Sequence, residues 1–178
     1  MSVNLHFVEK NQVVSAFLPV AMNAGAPSID WVSMKGYGRC AIVFFKAIGT
    51  AGDDPTITLL QSQVVAGSNS KALNITRVDK KQAATNLLST GTFTKSTSGS
   101  PASHDTFSTN TWTNSDLAEQ AAVVVIDIKA EDLDIDNGFD CVSFTIADVG
   151  TNAQLGCALF ILHEPRNLQE TLDSAIVD

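Results

Sequence analysis

The chain has 178 residues, of which 44% are hydrophobic and 17% are charged, with a net charge of −8 and a pI near 4.7. This length and apolar content predict one folded domain and exclude a disordered tail, and the acidic balance excludes a general nucleic-acid binder, which needs a basic face. The low charged fraction fits a surface that neighbours partly cover, because charge is depleted at interface cores.

The first 30 residues are irregular, since Pro19, Gly25 and Pro27 exclude a long helix. We interpret residues 1–30 as an N-terminal arm that docks on its own domain or on a neighbour, because free termini fray unless something holds them. Deleting residues 1–25 is then expected to leave a folded domain that has lost its docking arm. The residues predicted to bind a capsid or another subunit lie in this arm and just after it: Val14, Phe17, Leu18, Trp31, Met34 and Tyr37.

Short apolar and alternating segments predict the first strands. Residues 40–45 form an unbroken apolar run, which predicts a strand buried on both faces. Alternation of apolar and polar residues predicts further strands at 56–65 and 72–78. The region 81–117 is rich in Ser, Thr, Gly and Asn, and we expect one or two short strands there within a long, variable surface loop.

The last third of the chain predicts three strands in quick succession, at 122–128, 139–149 and 155–165. About eight strands without a long helix indicate an all-β protein, and the short connections favour an antiparallel jelly-roll-like β-sandwich. We therefore expect residues 31–178 to form a single domain, with the N-terminal arm extended beside it.

An acidic stretch precedes the second of these strands. Asp132, Asp134 and Asp136 have the D-x-D-x-D spacing that begins an EF-hand loop. The sixth position would be Asn137 and the twelfth Ser143, so the glycine and the bidentate glutamate of that loop are missing. The sequence favours a solvated strand edge and turn, and it leaves a weak cation site at the three aspartates as an alternative.

The motifs of known catalytic sites are missing from the sequence. There is no G-x-S-x-G elbow and no phosphate-binding loop. Ser103, His104 and Asp105 lie in the polar region, where we expect nothing to hold a triad rigid. His163 and Glu164 are adjacent in a predicted strand and should point to opposite faces. The sequence therefore predicts a protein that is not an enzyme.

Cysteines and hydropathy predict the absence of cofactors and membrane contacts. Cys40, Cys141 and Cys157 lie in apolar runs without a C-x-x-C pair, so we expect buried free thiols and no metal site. No uninterrupted apolar span reaches about 18 residues, so no membrane-spanning helix is predicted. A carbohydrate-binding function remains an alternative, because Trp112 and Phe107 in the polar region could stack on a sugar ring.

Two stretches resemble a known group of proteins. Residues 31–61 contain a Lys-Gly-Tyr-Gly lead into an apolar strand and an Asp-Asp-Pro loop, and residues 128–166 contain the turn D-x-D-N-G-F-D-C. In these features the chain resembles structural proteins of tailed bacteriophages and prophages, in particular capsid decoration (cement) proteins. The resemblance implies no catalytic residues.

The resemblance implies a virion protein that binds the outer surface of a phage capsid and stabilises it across capsomer boundaries. Its partners would be the major capsid protein and further copies of itself, as a homotrimer, with no nucleic acid and no membrane. The expected location is the capsid exterior, and the host cytoplasm during assembly. A tail, neck or baseplate component is the alternative within the virion.

Overall fold

A computed structural model describes residues 5–147, 149–167, 172 and 174–177. Within these residues the elements are one short α-helix, α1 (Phe7–Lys10), three 3-10 turns and twelve strands. The strands are β1 (Gln12–Ala21), β2 (Val32–Ser33), β3 (Tyr37–Lys46), β4 (Ile57–Ser62), β5 (Lys71–Ala72), β6 (Arg77–Ala83), β7 (Thr94–Thr97), β8 (Asp105–Ser108), β9 (Thr111–Asn114), β10 (Ala121–Lys129), β11 (Cys141–Ile146) and β12 (Leu155–Pro165).

The strands form two sheets that pack face to face. Sheet A has the order β1-β12-β3-β10-β6-β7, and sheet B has the order β2-β11-β4-β9-β8, with β5 also paired to β4. Every described pair is antiparallel. The predicted all-β antiparallel sandwich is therefore confirmed.

The inner faces of the two sheets meet in an apolar core. Phe17 pairs with Phe44 within sheet A, with ring centroids 6.4 Å apart. Phe144 of sheet B pairs with Phe160 of sheet A, with ring centroids 5.7 Å apart. Phe17 also lies 6.5 Å from Phe144, so one phenylalanine cluster joins β1, β3, β11 and β12. Aromatic pairs at these separations stabilise a core beyond the area that they bury.

The predicted N-terminal arm is part of the sandwich. Strand β1 pairs with β12 from Gln12 opposite Leu162 to Ala21 opposite Leu155. Phe17 and the following Met22 are buried in the common core. Of the two predicted docking modes, the structure shows docking on the chain's own domain, and residues 12–22 belong to that domain and not to a separate arm.

Two predicted segments differ in detail from the structure. Residues 72–78 were expected to form one strand, but β5 ends at Ala72 and β6 begins at Arg77. Leu73 and Ile75 are nevertheless both buried, because their backbone N–H groups bond to Leu59 O and Thr109 O and hold the linker against sheet B. The alternating pattern at 72–78 therefore indicated which side chains are buried, and not one continuous hydrogen-bonded strand.

The polar region 81–117 holds three short strands, β7, β8 and β9, in addition to the end of β6. Strand β7 lies at one edge of sheet A, and β8 and β9 extend sheet B. The region thus contains more regular structure than the predicted one or two strands. Backbone pairing can organise Thr- and Ser-rich segments because it does not depend on apolar side chains.

A buried lysine at the end of β3 holds a loop in place. Lys46 Nζ donates hydrogen bonds to Leu117 O at 2.5 Å, Gln120 O at 2.7 Å and Ala118 O at 3.3 Å. Its side chain lies inside the sandwich, and burial lowers the pKa of Lys46 to about 8, an effect that Asp54 partly opposes. The buried ammonium thus donates all three of its N–H groups to backbone carbonyls of residues 117–120.

This lysine predicts a pH dependence of stability. The pKa of Lys46 falls from 10.5 when solvated to about 8 in the fold. Because the folded pKa is the lower one, the unfolded chain binds more protons between these values, and the free energy of unfolding rises with pH across them. The rise should be about 3 kcal/mol between pH 8 and pH 10.5.

The measurement is urea denaturation of the wild type and of Lys46→Met at several pH values. The difference in free energy of unfolding between the two proteins isolates Lys46, because the other titrating groups are shared. The free energy of unfolding of the wild type should increase relative to that of Lys46→Met as the pH rises from 8 to 10.5. Parallel pH profiles for the two proteins would contradict the lowered pKa.

Candidate protein-interaction surface

The outer face of sheet A carries a continuous apolar surface. Residues opposite one another in an antiparallel pair share a face of the sheet, so the register places Leu159, Val43 and Val125 side by side. Ten outward residues make up this surface, which we call the apolar face: Val13, Ala41, Val43, Phe45, Val123, Val125, Leu155, Cys157, Leu159 and Ile161.

The apolar face is open to solvent over much of its area. Val13, Phe45, Leu155 and Leu159 are 41 to 56% exposed, and the other six members are half-buried by their neighbours. Together they form one contiguous apolar patch across β1, β12, β3 and β10, and large exposed patches of this kind are often functional. Beyond Phe45 the surface continues to Ile48 and Leu88, which line a groove of about 640 Å³ at the end of the sheet.

Strand β3 was predicted to be buried on both faces, and this prediction is wrong for its outer face in the single chain. The inward residues Cys40, Ile42 and Phe44 are fully buried. The outward residues Val43 and Phe45 are half-buried and exposed, because sheet B covers sheet A on one side. The sequence pattern described a strand with two apolar faces, and the fold covers one of them.

An ion cluster borders the apolar face at one end. Arg39 Nη2 lies 2.5 Å from Asp127 Oδ2, and His163 Nε2 lies 3.3 Å from Asp127 Oδ1. The hydrogen bond from Arg39 to Asp127 raises the pKa of Arg39. The partner of His163 is therefore Asp127, and not the adjacent Glu164 considered from the sequence. Pairing across β3, β10 and β12 brings the three residues together, so their spacing along the chain did not predict the contact.

Three of the predicted capsid-binding or subunit-binding residues are core residues. Phe17, Met34 and Tyr37 are buried. Phe17 belongs to the phenylalanine cluster, and Tyr37 lies at the start of β3. A direct binding role for these three residues is wrong, because a partner cannot reach their side chains.

The other three predicted binding residues lie closer to the surface. Leu18 is 73% exposed and lines a groove of about 620 Å³ between β1 and residues 27–30. Val14 is half-buried and packs against the core. Trp31 is half-buried against Gly67, where any Cβ would collide with the indole ring and where φ is +74°. Leu18 is therefore the member of the set best placed for contact.

The predicted glycan contacts are not arranged for stacking. Trp112 is fully buried, and the Lys80 ammonium lies 5.9 Å from its ring centroid. A stacking role for Trp112 is wrong, because neither face of the indole is open to a sugar. Phe107 is half-buried and lines a pocket of about 270 Å³ with Asn74 and Thr109.

The acidic stretch forms a compact turn. Two 3-10 turns, Ala130–Asp132 and Ile135–Asn137, replace the predicted extended strand edge. Gly138 follows with φ of 79°, the left-handed region that glycine adopts without steric cost. The turn expected in this acidic stretch is therefore confirmed.

The three aspartates of that turn do not converge on one site. Asp132 accepts a hydrogen bond from the backbone N–H of Lys129 at 3.1 Å, while Asp134 pairs with Lys71 and accepts from Asn137. The bonds from Lys71 and Asn137 lower the pKa of Asp134. Asp136 is exposed, and within the described residues no group of three or more His, Cys, Asp or Glu side chains is placed to hold a metal ion. Within the single chain, the carboxylates of Asp132, Asp134 and Asp136 are therefore not arranged as a cation site.

The Ser103-His104-Asp105 stretch also divides between surface and core. His104 Nδ1 lies 3.2 Å from Asp116 Oδ1 at the surface. The side chain of Asp105 points inward, and its Oδ1 lies 2.5 Å from Lys80 Nζ. The two side chains thus face different environments and do not form one acid–base arrangement.

The three cysteines are free, as expected from the sequence. Cys40 and Cys141 are buried, and Cys157 is half-buried on the apolar face. Burial raises the pKa of the Cys40 thiol, which therefore stays protonated near neutral pH.

Across the described part of the chain, no helix is long and apolar enough to cross a bilayer. Comparison of the chain with protein-family models, with curated proteins and with solved structures gives no match.

Proposed function

We propose that the chain is a structural virion protein that binds the outer surface of a phage capsid and stabilises it across capsomer boundaries. The resemblance of residues 31–61 and 128–166 to virion proteins supports this function. Those two segments supply β2, β3, β4, β11 and β12, and these strands pair with one another in both sheets. The resemblance thus covers the strands on which the sandwich is built.

The strand order supports a jelly roll as the finer description of the sandwich. The paths β1-β12-β3-β10 and β2-β11-β4-β9 each contain four strands, and the chain alternates between the sheets from β1 to β4 and again from β9 to β12. A jelly roll has eight strands in two such interleaved Greek keys. On this assignment β5 to β8 are an insertion between the fourth and fifth core strands.

Leu18 is the observation that carries the assignment of a capsid-docking edge. It lies 73% exposed on β1, the edge strand of sheet A, beside Pro19 and Val20 in an open groove. An exposed apolar edge strand invites association unless a partner covers it. The major capsid protein is the partner that we assign to this edge. Binding of this kind needs no reactive group and no cofactor.

The docking edge predicts a loss of capsid binding in Leu18→Glu. Burial of a leucine side chain contributes about 1.5 to 3 kcal/mol, so replacing it with a carboxylate should weaken binding by about tenfold or more. The measurement is co-sedimentation of purified chain with particles of the encoding phage that lack it. Ile135→Glu is a matched control, since Ile135 is exposed in the 3-10 turn Ile135–Asn137 and does not line that groove.

Equal binding of Leu18→Glu and the wild type would overturn the docking edge. A cryo-EM map of the virion separates the head from the tail. Density at three-fold or quasi-three-fold positions of the head supports decoration, whereas a six-fold or twelve-fold ring supports a tail, neck or baseplate component.

A further inference from the structure

We propose that the apolar face of sheet A is an interface in a homo-oligomer, where a second copy of this chain covers it. The inference concerns contact with another copy of this chain and not with the capsid, so it goes beyond capsid binding and stands without it. It rests on the sequence pattern of three strands, on the contrast between the two sheets and on the composition of the face.

Three neighbouring strands are apolar on both sides. Residues 41–45 of β3, 122–126 of β10 and 157–162 of β12 contain no polar side chain. Strands with one solvated face alternate between apolar and polar residues, whereas strands covered on both faces form continuous apolar runs. The sequence is therefore that of a sheet with two dry faces.

Sheet B provides an internal comparison. Its central strands β4 and β11 place Ile57 opposite Ile146 on the inner face and Thr58 opposite Thr145 on the outer face. That alternation is expected where water covers the outer face. Sheet A departs from it at Val43 and Val125, so its outer face has the composition of a covered surface.

The occupant is a second copy because the face carries no charged side chain. Interfaces of homodimers are about 65% apolar, whereas interfaces between proteins that also exist separately are about as apolar as ordinary surface. A partner of different chemistry would be selected through charges, and here the charged side chains lie on the border of the face. Arg39, Asp127 and His163 lie at one end. Asp79 and Lys81 lie along one side, on the neighbouring strand β6.

The size of the face agrees with an interface core. Four strands about 4.8 Å apart and about 20 Å long give a flat area of roughly 300 to 400 Å². A stable interface buries about 800 Å² on each partner, with an apolar centre and a polar rim. Ile48, Leu88 and the ion cluster at Arg39 extend the contact toward that size.

The test is the oligomeric state of the purified full-length chain, measured by sedimentation velocity and by light scattering over a wide range of concentration. The wild type is expected to be a dimer or a larger homo-oligomer. Leu159→Glu would bury an unpaired carboxylate at each contact, so the dissociation constant should rise at least about a hundredfold. Ile135→Glu is the matched control and should leave the oligomer intact, because Ile135 is exposed in the 3-10 turn Ile135–Asn137 and is not part of sheet A.

Folding of the variants is checked separately by circular dichroism and thermal unfolding. Leu159 is partly exposed in the single chain, so Leu159→Glu should fold, and the uncharged Leu159→Gln provides a second variant that should weaken association less. A wild type that stays monomeric, or an oligomer that Leu159→Glu leaves unchanged, overturns the inference. A monomer that decorates capsids would overturn this inference and leave the proposed function standing. An oligomer that binds no capsid would support this inference and overturn the proposed function.

Discussion

Substitution of Asp105 by alanine is expected to lower the free energy of unfolding by about 3 to 5 kcal/mol, because it leaves a buried ammonium without its carboxylate. Lys80 and Asp105 form an ion pair whose side chains are 4% and 0% exposed. Asn114 donates a second hydrogen bond to the same carboxylate oxygen at 2.8 Å. Urea denaturation of the wild type and the variant at neutral pH measures the loss.

The double variant Lys80→Met with Asp105→Leu separates the pair from its surroundings. Replacing both charges by apolar side chains of similar size is often neutral, so the double variant should recover most of the stability lost in Asp105→Ala. Asp79→Ala is the surface control, since Asp79 pairs with the exposed Arg77 and its loss should cost less than about 1 kcal/mol. A double variant as unstable as Asp105→Ala would mean that packing, and not the unpaired charge, dominates.

Deletion of residues 1–21 is expected to leave a chain that aggregates or unfolds near room temperature. The deletion removes β1 and with it Phe17, which contacts Phe44 and Phe144 in the core. Loss of one buried phenylalanine side chain costs about 3 to 5 kcal/mol, a large part of the 5 to 15 kcal/mol that stabilises a typical domain. It also exposes the apolar edge of β12, and such an edge pairs readily with other chains. Soluble yield and thermal unfolding are the measurements.

Deletion of residues 1–10 is the matched control. It removes α1, which contains no buried residue, and leaves β1 in place. Its free energy of unfolding should stay within about 1 kcal/mol of the wild type, as is usual for changes at exposed positions. A soluble chain of residues 22–178 with the wild-type melting temperature would support the detachable arm expected from the sequence and contradict the integrated strand.

The interaction surface illustrates what sequence patterns left undetermined. The apolar runs at 41–45, 122–126 and 157–162 were visible, but nothing in their spacing shows that the three strands are neighbours. Adjacency depends on register, since a shift of one residue moves every side chain to the other face. The pairing of His163 with Asp127 has the same origin, because 36 residues separate them along the chain.

The amino-acid sequence by itself determined the all-β class, the approximate positions of β3, β4, β10 and β12, and the turn at Gly138. These are local properties, since alternation, apolar runs and the conformational freedom of glycine act over a few residues. Only the tertiary structure decided that Trp112 and Tyr37 are buried while Leu18 is exposed. Apolar side chains are all driven from water, and which of them reach the interior depends on how distant strands pair and which faces the two sheets turn toward each other.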